Sequence, residues 1–193
     1  IAWTEKLATE LKRPAAVAEA QFLLGASQFS QDQYPAAITA LQAALTADAG
    51  WRQADETLLF LSRAQHKEQQ LPAATGTVQK LIKDFPQSHV LDQAHYRLGE
   101  YLYAAEEYPQ AIEEYQRVVS GWPKSAFVPY AMYGQGWSHL KTRKFDQAIK
   151  SFSSLVDGYG DHQLAGPGLL GRAMSYRQAK QYQQTIDDVA AFL

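Results

Sequence analysis

The sequence predicts an all-α fold, an α-solenoid of helical hairpins stacked one on the next. Three observations lead there. A short block recurs every 37 residues with no insertion. Small residues hold two fixed places around each block. Hydrophobic spacing is helical, and no stretch sustains strand alternation. The blocks are Tyr34-Pro35-Ala36-Ala37-Ile38, Leu71-Pro72-Ala73-Ala74-Thr75, Tyr108-Pro109-Gln110-Ala111-Ile112, Phe145-Asp146-Gln147-Ala148-Ile149 and Tyr182-Gln183-Gln184-Thr185-Ile186. Nine residues before each block start stand Gly25, Ser62, Gly99, Gly136 and Ala173, and three residues after it Ala37, Ala74, Ala111, Ala148 and Thr185.

Taken in order, residues 1–13 read as the second helix of a preceding, truncated unit. Repeats follow at 18–54, 55–91, 92–128, 129–165 and 166–193, each a pair of helices within one array that belongs to a longer protein. In the third, Ala94, Leu98 and Leu102 recur at helical spacing, as do Ala111, Tyr115, Val118 and Val119. Pro35, Pro72 and Pro109 fall in the first turn of the second helix, where a missing N–H costs nothing. Phe85-Pro86, Trp122-Pro123 and Tyr159-Gly160 stop that helix, and Ser88 and Ser125 are placed to cap the next. Gly158-Tyr159-Gly160 and Gly166-Pro167-Gly168 read as helix breaks, so the joint between the fourth and fifth repeats is expected to be the most mobile or most kinked. The small residues mark helix crossings at about 8–10 Å. Gly99 is expected to face Ala111, and Gly136 to face Ala148.

Composition removes several functions. The 193 residues hold 18 Lys and Arg against 20 Asp and Glu, a net charge of −2, so no basic footprint for nucleic acid exists. With no cysteine there is no disulfide framework, thiolate metal site or cysteine nucleophile. No apolar run is long enough to span a bilayer. The chain starts at Ile1 without a basic or apolar leader, which predicts a processed or excised segment.

Leu98-Gly99, Tyr108, Ala111, Tyr115 and Pro123, and again Gly136, Phe145, Ala148 and Phe152, resemble the tetratricopeptide repeat (TPR). The resemblance covers essentially the whole chain. It departs from the family where Gln21, Leu58, His95, Met132 and Leu169 replace the early Trp, where only Pro86 and Pro123 keep the closing Pro, and where the period is 37 rather than the usual 34 residues. It implies a right-handed TPR superhelix with first helices lining a concave groove. Asp84-Phe85-Pro86-Gln87-Ser88 and Gly121-Trp122-Pro123-Lys124-Ser125 resemble linkers of bacterial envelope TPR proteins. That implies a periplasmic or envelope-associated scaffold; a cytoplasmic location stays open.

The resemblance implies groove positions Phe22, Ala26 and Phe29; Leu59, Arg63 and His66; Tyr96, Glu100 and Tyr103; Tyr133, Trp137 and Leu140; and Leu170, Met174 and Arg177. Eleven of these fifteen are apolar and six aromatic, which suits a groove for a peptide or helix better than a solvated stripe. The residues expected to touch a protein partner are Phe22, Phe29, Arg63, His66, Tyr96, Tyr103, Tyr133, Trp137, Leu140 and Arg177, most of all between Tyr96 and Leu140. Arg63 and Arg177, with Lys67 or Lys141, are placed to pair with ligand carboxylates. Plain core between neighbouring first helices is the alternative for Tyr96, Tyr133 and Trp137, and less so for Phe22 and Phe29 in the end unit. Self-association is open.

No catalytic set emerges, and no metal or cofactor is expected. His66, His89, His95, His139 and His162 form no ligand pair. Glu106-Glu107, Glu113-Glu114 and Asp187-Asp188 are neighbours that diverge on a helix. The glycine pairs lack a phosphate-loop Lys. The expected function is a non-catalytic binding scaffold; the alternative is a recruitment module whose catalytic domain lies outside the segment.

Overall fold

The computed structural model describes residues 13–193, so the reading of residues 1–13 as a half repeat lies, Arg13 apart, outside the described residues. Among the described residues there are ten α-helices and no strand. They are α1 (Pro14–Ser30), α2 (Tyr34–Ala47), α3 (Ala54–Lys67), α4 (Leu71–Asp84), α5 (Leu91–Ala104), α6 (Tyr108–Gly121), α7 (Val128–Lys141), α8 (Phe145–Gly158), α9 (Ala165–Gln178) and α10 (Tyr182–Phe192). The chain forms two compact units, residues 1–94 and 95–193.

Each hairpin turns in the same way. The last turn of the first helix closes with a residue in the left-handed region: Asp32 (φ 57°), Gln69 (59°), Glu106 (61°), Arg143 (59°) and Lys180 (62°). These five are spaced at the sequence repeat, and none is glycine. Around Glu106, its own N–H donates to the Tyr103 carbonyl at 3.0 Å and the Glu107 N–H to the Leu102 carbonyl at 2.9 Å. The other four turns repeat this pair of bonds, which satisfies carbonyls that a helix end leaves open. The second helix then starts at Tyr34, Leu71, Tyr108, Phe145 or Tyr182, with Pro in the first turn of α2, α4 and α6 as expected.

Packing between helices is decided by a ring and two glycines. In the second unit, a Cβ added to Gly99 would lie 2.6 Å from Tyr115 Cε1, and one added to Gly134 would lie 2.5 Å from Tyr115 Cζ. Phe152 is held likewise, 2.7 Å from such an atom at Gly136 and 2.6 Å from one at Gly171. Each ring therefore touches its own hairpin and the next. The nearest atoms at Gly99 and Gly136 belong to the large residue one turn beyond Ala111 and Ala148, and those alanines are fully buried. In the first unit the second-helix residue is Leu41, and Phe60 stands where Gly134 and Gly171 stand later. Leu41 and Phe60 lie in one core cluster, so the volume missing from one partner is supplied by the other.

The linkers differ from expectation in two details. Ser88 and Ser125 do not cap the next helix directly. Their Oγ atoms accept from the N–H groups of Val90 and Phe127, two residues on and still ahead of the helix, and His162 Nδ1 does the same for Leu164. Gly166-Pro167-Gly168 does not break a helix. It forms the first turn of α9, where Pro is tolerated, and Gly168 lets that helix approach Leu155. The joint there repeats the bonds of the preceding one, His162 N–H to Tyr159 and Ala165 N–H to His162 matching Ser125 to Trp122 and Val128 to Ser125. Its geometry therefore does not set it apart as kinked.

Glycine is expected to relieve the left-handed turns. Glu106→Gly should stabilise by about 0.5–1 kcal/mol, the steric relief exceeding the added chain entropy, read as a higher thermal midpoint. Gly134→Ala should destabilise by about 1–3 kcal/mol in denaturant titration, and Tyr115→Leu in the same chain should recover some of it.

Candidate functional site

In the second unit, first helices α7 and α9 present the same register outward. Tyr133 and Trp137 are half-buried and meet Phe152 edge-on at 6.0 and 5.8 Å, and each other at 6.0 Å. Phe152, locked between two glycines, thus braces both rings, and each ring remains partly exposed. Leu140 is half-buried, and Leu170, Met174 and Arg177 are exposed.

On α5, Tyr96 is half-buried. It stacks on Phe127 at 5.3 Å and contacts Tyr130 and Tyr115. Its hydroxyl donates to Glu100 at 2.8 Å, and Arg97 donates to the other Glu100 oxygen at 2.6 Å while lying over the Tyr96 ring. Burial, reinforced by the Glu100 charge and its hydrogen bond, raises the Tyr96 phenol well above its ordinary value, so it remains a donor at neutral pH. Glu100, read as a groove position, is therefore engaged internally. Tyr103 packs edge-on to Tyr108 at 5.2 Å.

The first unit spends its stripe on its own core. Phe22 is only 6% exposed, held between Trp51 and Phe60. This corrects its assignment to a partner surface: the end-unit position is the more deeply buried one, because Trp51 folds over it from the linker. Phe29 is half-buried against Tyr34 and Phe60, with the Arg63 guanidinium 4.7 Å above its ring. His66 is exposed.

A second feature of the later unit lies among α6, α7 and α8. Gln135 is buried, donates to Gln116 at 2.9 Å and accepts from Ser151 at 3.2 Å. Beside them Met132, His139 and Lys150 line a cavity of about 330 Å³. His139 Nδ1 is buried with no partner, and desolvation, then the Lys144 charge, lowers that imidazole below its ordinary pKa. Among the described residues no three His, Asp or Glu side chains gather as a metal set, and no helix is long and apolar enough to cross a membrane.

One tetratricopeptide repeat profile matches residues 5–54, 22–89 and 61–126, and a second matches 130–162. The chain belongs to the tetratricopeptide repeat family. No curated protein matches it. Solved structures share the TPR fold at low identity. A MamA protein is 19% identical over 90% of this chain and 88% of its own, with a TM-score of 0.75. MamA 41-end from Desulfovibrio magneticus RS-1 is 15% identical over 91% and 92%, with a TM-score of 0.79. A tetratricopeptide repeat protein from Parabacteroides merdae ATCC 43184 is 13% identical over 91% and 65%, with a TM-score of 0.78.

Within the TPR register, sequence reasoning missed Trp51, Phe127, Tyr130 and the Gln135 cluster. A signal for the last was present. Gln135 and Arg172 stand where earlier repeats have Leu24, Leu61 and Leu98, and each has a polar mate sixteen residues on, Ser151 and Asp188.

The His139 shift carries a pH dependence. Its folded pKa lies below the unfolded value, so the folded state binds fewer protons and stability is full above about 6.5. Stability should fall as pH drops below that value towards the lowered folded pKa. Denaturant titrations of wild type and His139→Gln between neutral and mildly acid pH should show a smaller decline in the variant.

Proposed function

We propose that this TPR chain is a non-catalytic scaffold that holds an apolar peptide or helix of another protein against the first-helix face of residues 95–193. The observation that carries this reading is the pair Tyr133 and Trp137. Both rings are braced on Phe152 and remain partly exposed, and Leu140, Leu170 and Met174 extend the apolar register. Preordered aromatic rings bind with little further loss of side-chain freedom. Arg177 at the helix end suits a ligand carboxylate. Tyr103 marks the far end of the same register on α5. The TPR membership and the MamA-like fold support a protein-interaction role. The linkers at Asp84–Ser88 and Gly121–Ser125, which resemble those of envelope TPR proteins, support work in a bacterial cell envelope.

Peptides selected from a displayed random library against the wild-type chain test the binding face. Trp137→Ala is expected to weaken a selected peptide by about 30-fold, equivalent to about 2 kcal/mol, and Tyr133→Ala to a similar degree. Gln147→Ala, on the second helix of the same hairpin, should leave affinity unchanged. Equal affinity for all three folded variants would refute the assignment.

A further inference from the structure

The cavity among α6, α7 and α8 has a polar lining that the protein does not use up. Its floor is the buried pair Gln135 and Ser151. Ser151 donates to the Gln135 side-chain carbonyl, and Gln135 donates to that of Gln116 on α6. A carboxamide nitrogen carries two hydrogens, so Gln135 keeps one unspent and Gln116 keeps both. On the α8 side, Gln147, Lys150 and Ser154 line the space and make no hydrogen bond or ion pair among the described residues. Ser154 stands out in this. Ser27, Ser30, Ser120, Ser138 and Ser175 each donate to the carbonyl four residues back in their own helix. Val119 and Met132 give the cavity an apolar wall.

The next joint shows the same place filled by the chain itself. Arg172 stands one repeat after Gln135, Ser153 one repeat after Gln116, and Asp188 one repeat after Ser151. There the guanidinium donates to both Asp188 oxygens, at 2.8 and 2.6 Å, and to Ser153 at 3.2 Å. The charge and its counter-charge are both supplied internally. Around Gln135 a shorter, neutral amide replaces the arginine and a hydroxyl replaces the carboxylate. What is left is a space of about 330 Å³, the size at which small-molecule sites begin.

The charge about that space is positive. Lys150 lines it, and no Asp or Glu does. His139 lies at its edge, held towards the neutral form by burial first and by the Lys144 charge second. Glu113 belongs to the adjoining cleft, together with Arg117.

We propose that this cavity binds a small organic acid, its carboxylate received by Lys150 and the unspent amide hydrogens and its apolar tail laid against Val119 and Met132. Donors with no acid among them select an anionic acceptor. A carboxylate suits them better than a phosphate, because its two oxygens share a plane as the amide hydrogens do, and the one lining cation balances its single charge. Neither Tyr133 nor Trp137 lines the cavity, so the site is separate from the binding face proposed above.

The two methionines of the chain report the two places separately, Met132 in the cavity and Met174 on the aromatic face. In the full chain labelled with ¹³C-methyl methionine, sodium hexanoate is expected to move the Met132 signal saturably, with half-saturation on the order of 1 mM, and to leave Met174 in place. Hexanamide, its neutral counterpart, and inorganic phosphate should each need about ten times more. Lys150 is exposed, so its replacement disturbs no packing. Lys150→Gln should raise the half-saturation for hexanoate about 10-fold and Lys150→Glu further, with helicity checked by circular dichroism. Lys180→Glu, the same change of charge outside the cavity lining, should leave it unaltered. A Met132 signal that does not move, an equal response to hexanamide or to phosphate, a shift confined to Met174, or folded Lys150 variants that bind as wild type does would each overturn the proposal.

Discussion

An aromatic ring seated between two glycines governs the second unit. Tyr115 and Phe152 leave no room for a methyl group on Gly99, Gly134, Gly136 or Gly171. Glycine inside a helix costs about 1 kcal/mol against alanine, so four such positions are kept against local preference. What offsets them is the contact of a whole ring with two helices at once. The same ring anchors Tyr133 and Trp137 from behind. Hairpin closure, stacking and the proposed binding face therefore share one set of contacts.

The first unit meets the same geometric demand with different side chains. Leu41 takes the place of a ring and Phe60 the place of a glycine, and Phe22, Trp51 and Phe29 close around them. Arg63 then lies across Phe29 and Phe60 and covers the aromatic surface with its guanidinium. Bulk on the first helix turns the stripe inward. Glycine on the first helix, as at residues 134 and 171, lets the ring from the neighbouring second helix fill the gap and leaves the other aromatics outward.

Much of the fold was legible in the sequence because it is periodic. The spacing of Tyr34, Leu71, Tyr108, Phe145 and Tyr182 located every second helix, and the prolines set three of their first turns. The left-handed residues were not legible, since Asp32, Gln69, Glu106, Arg143 and Lys180 share no residue type that announces the conformation. The depth of Phe22 was hidden because Trp51 reaches it from a linker, outside helical periodicity. Sequence spacing identified the small residues at each crossing, but not that one ring is shared by glycines of two successive hairpins, as Tyr115 is by Gly99 and Gly134. Gln135 was visible as a polar break in a leucine register, yet only packed coordinates show it joined to Ser151.

The ring-and-glycine contact reaches from one hairpin to its immediate neighbour and no further. Within residues 95–193, tension along the stack meets two such latches in turn, at Tyr115 and at Phe152, instead of one large one. Hairpins separate in succession, each adding length while those not yet reached stay folded. A scaffold of this kind yields to strain by extension, and re-forms by closing the same latches in turn.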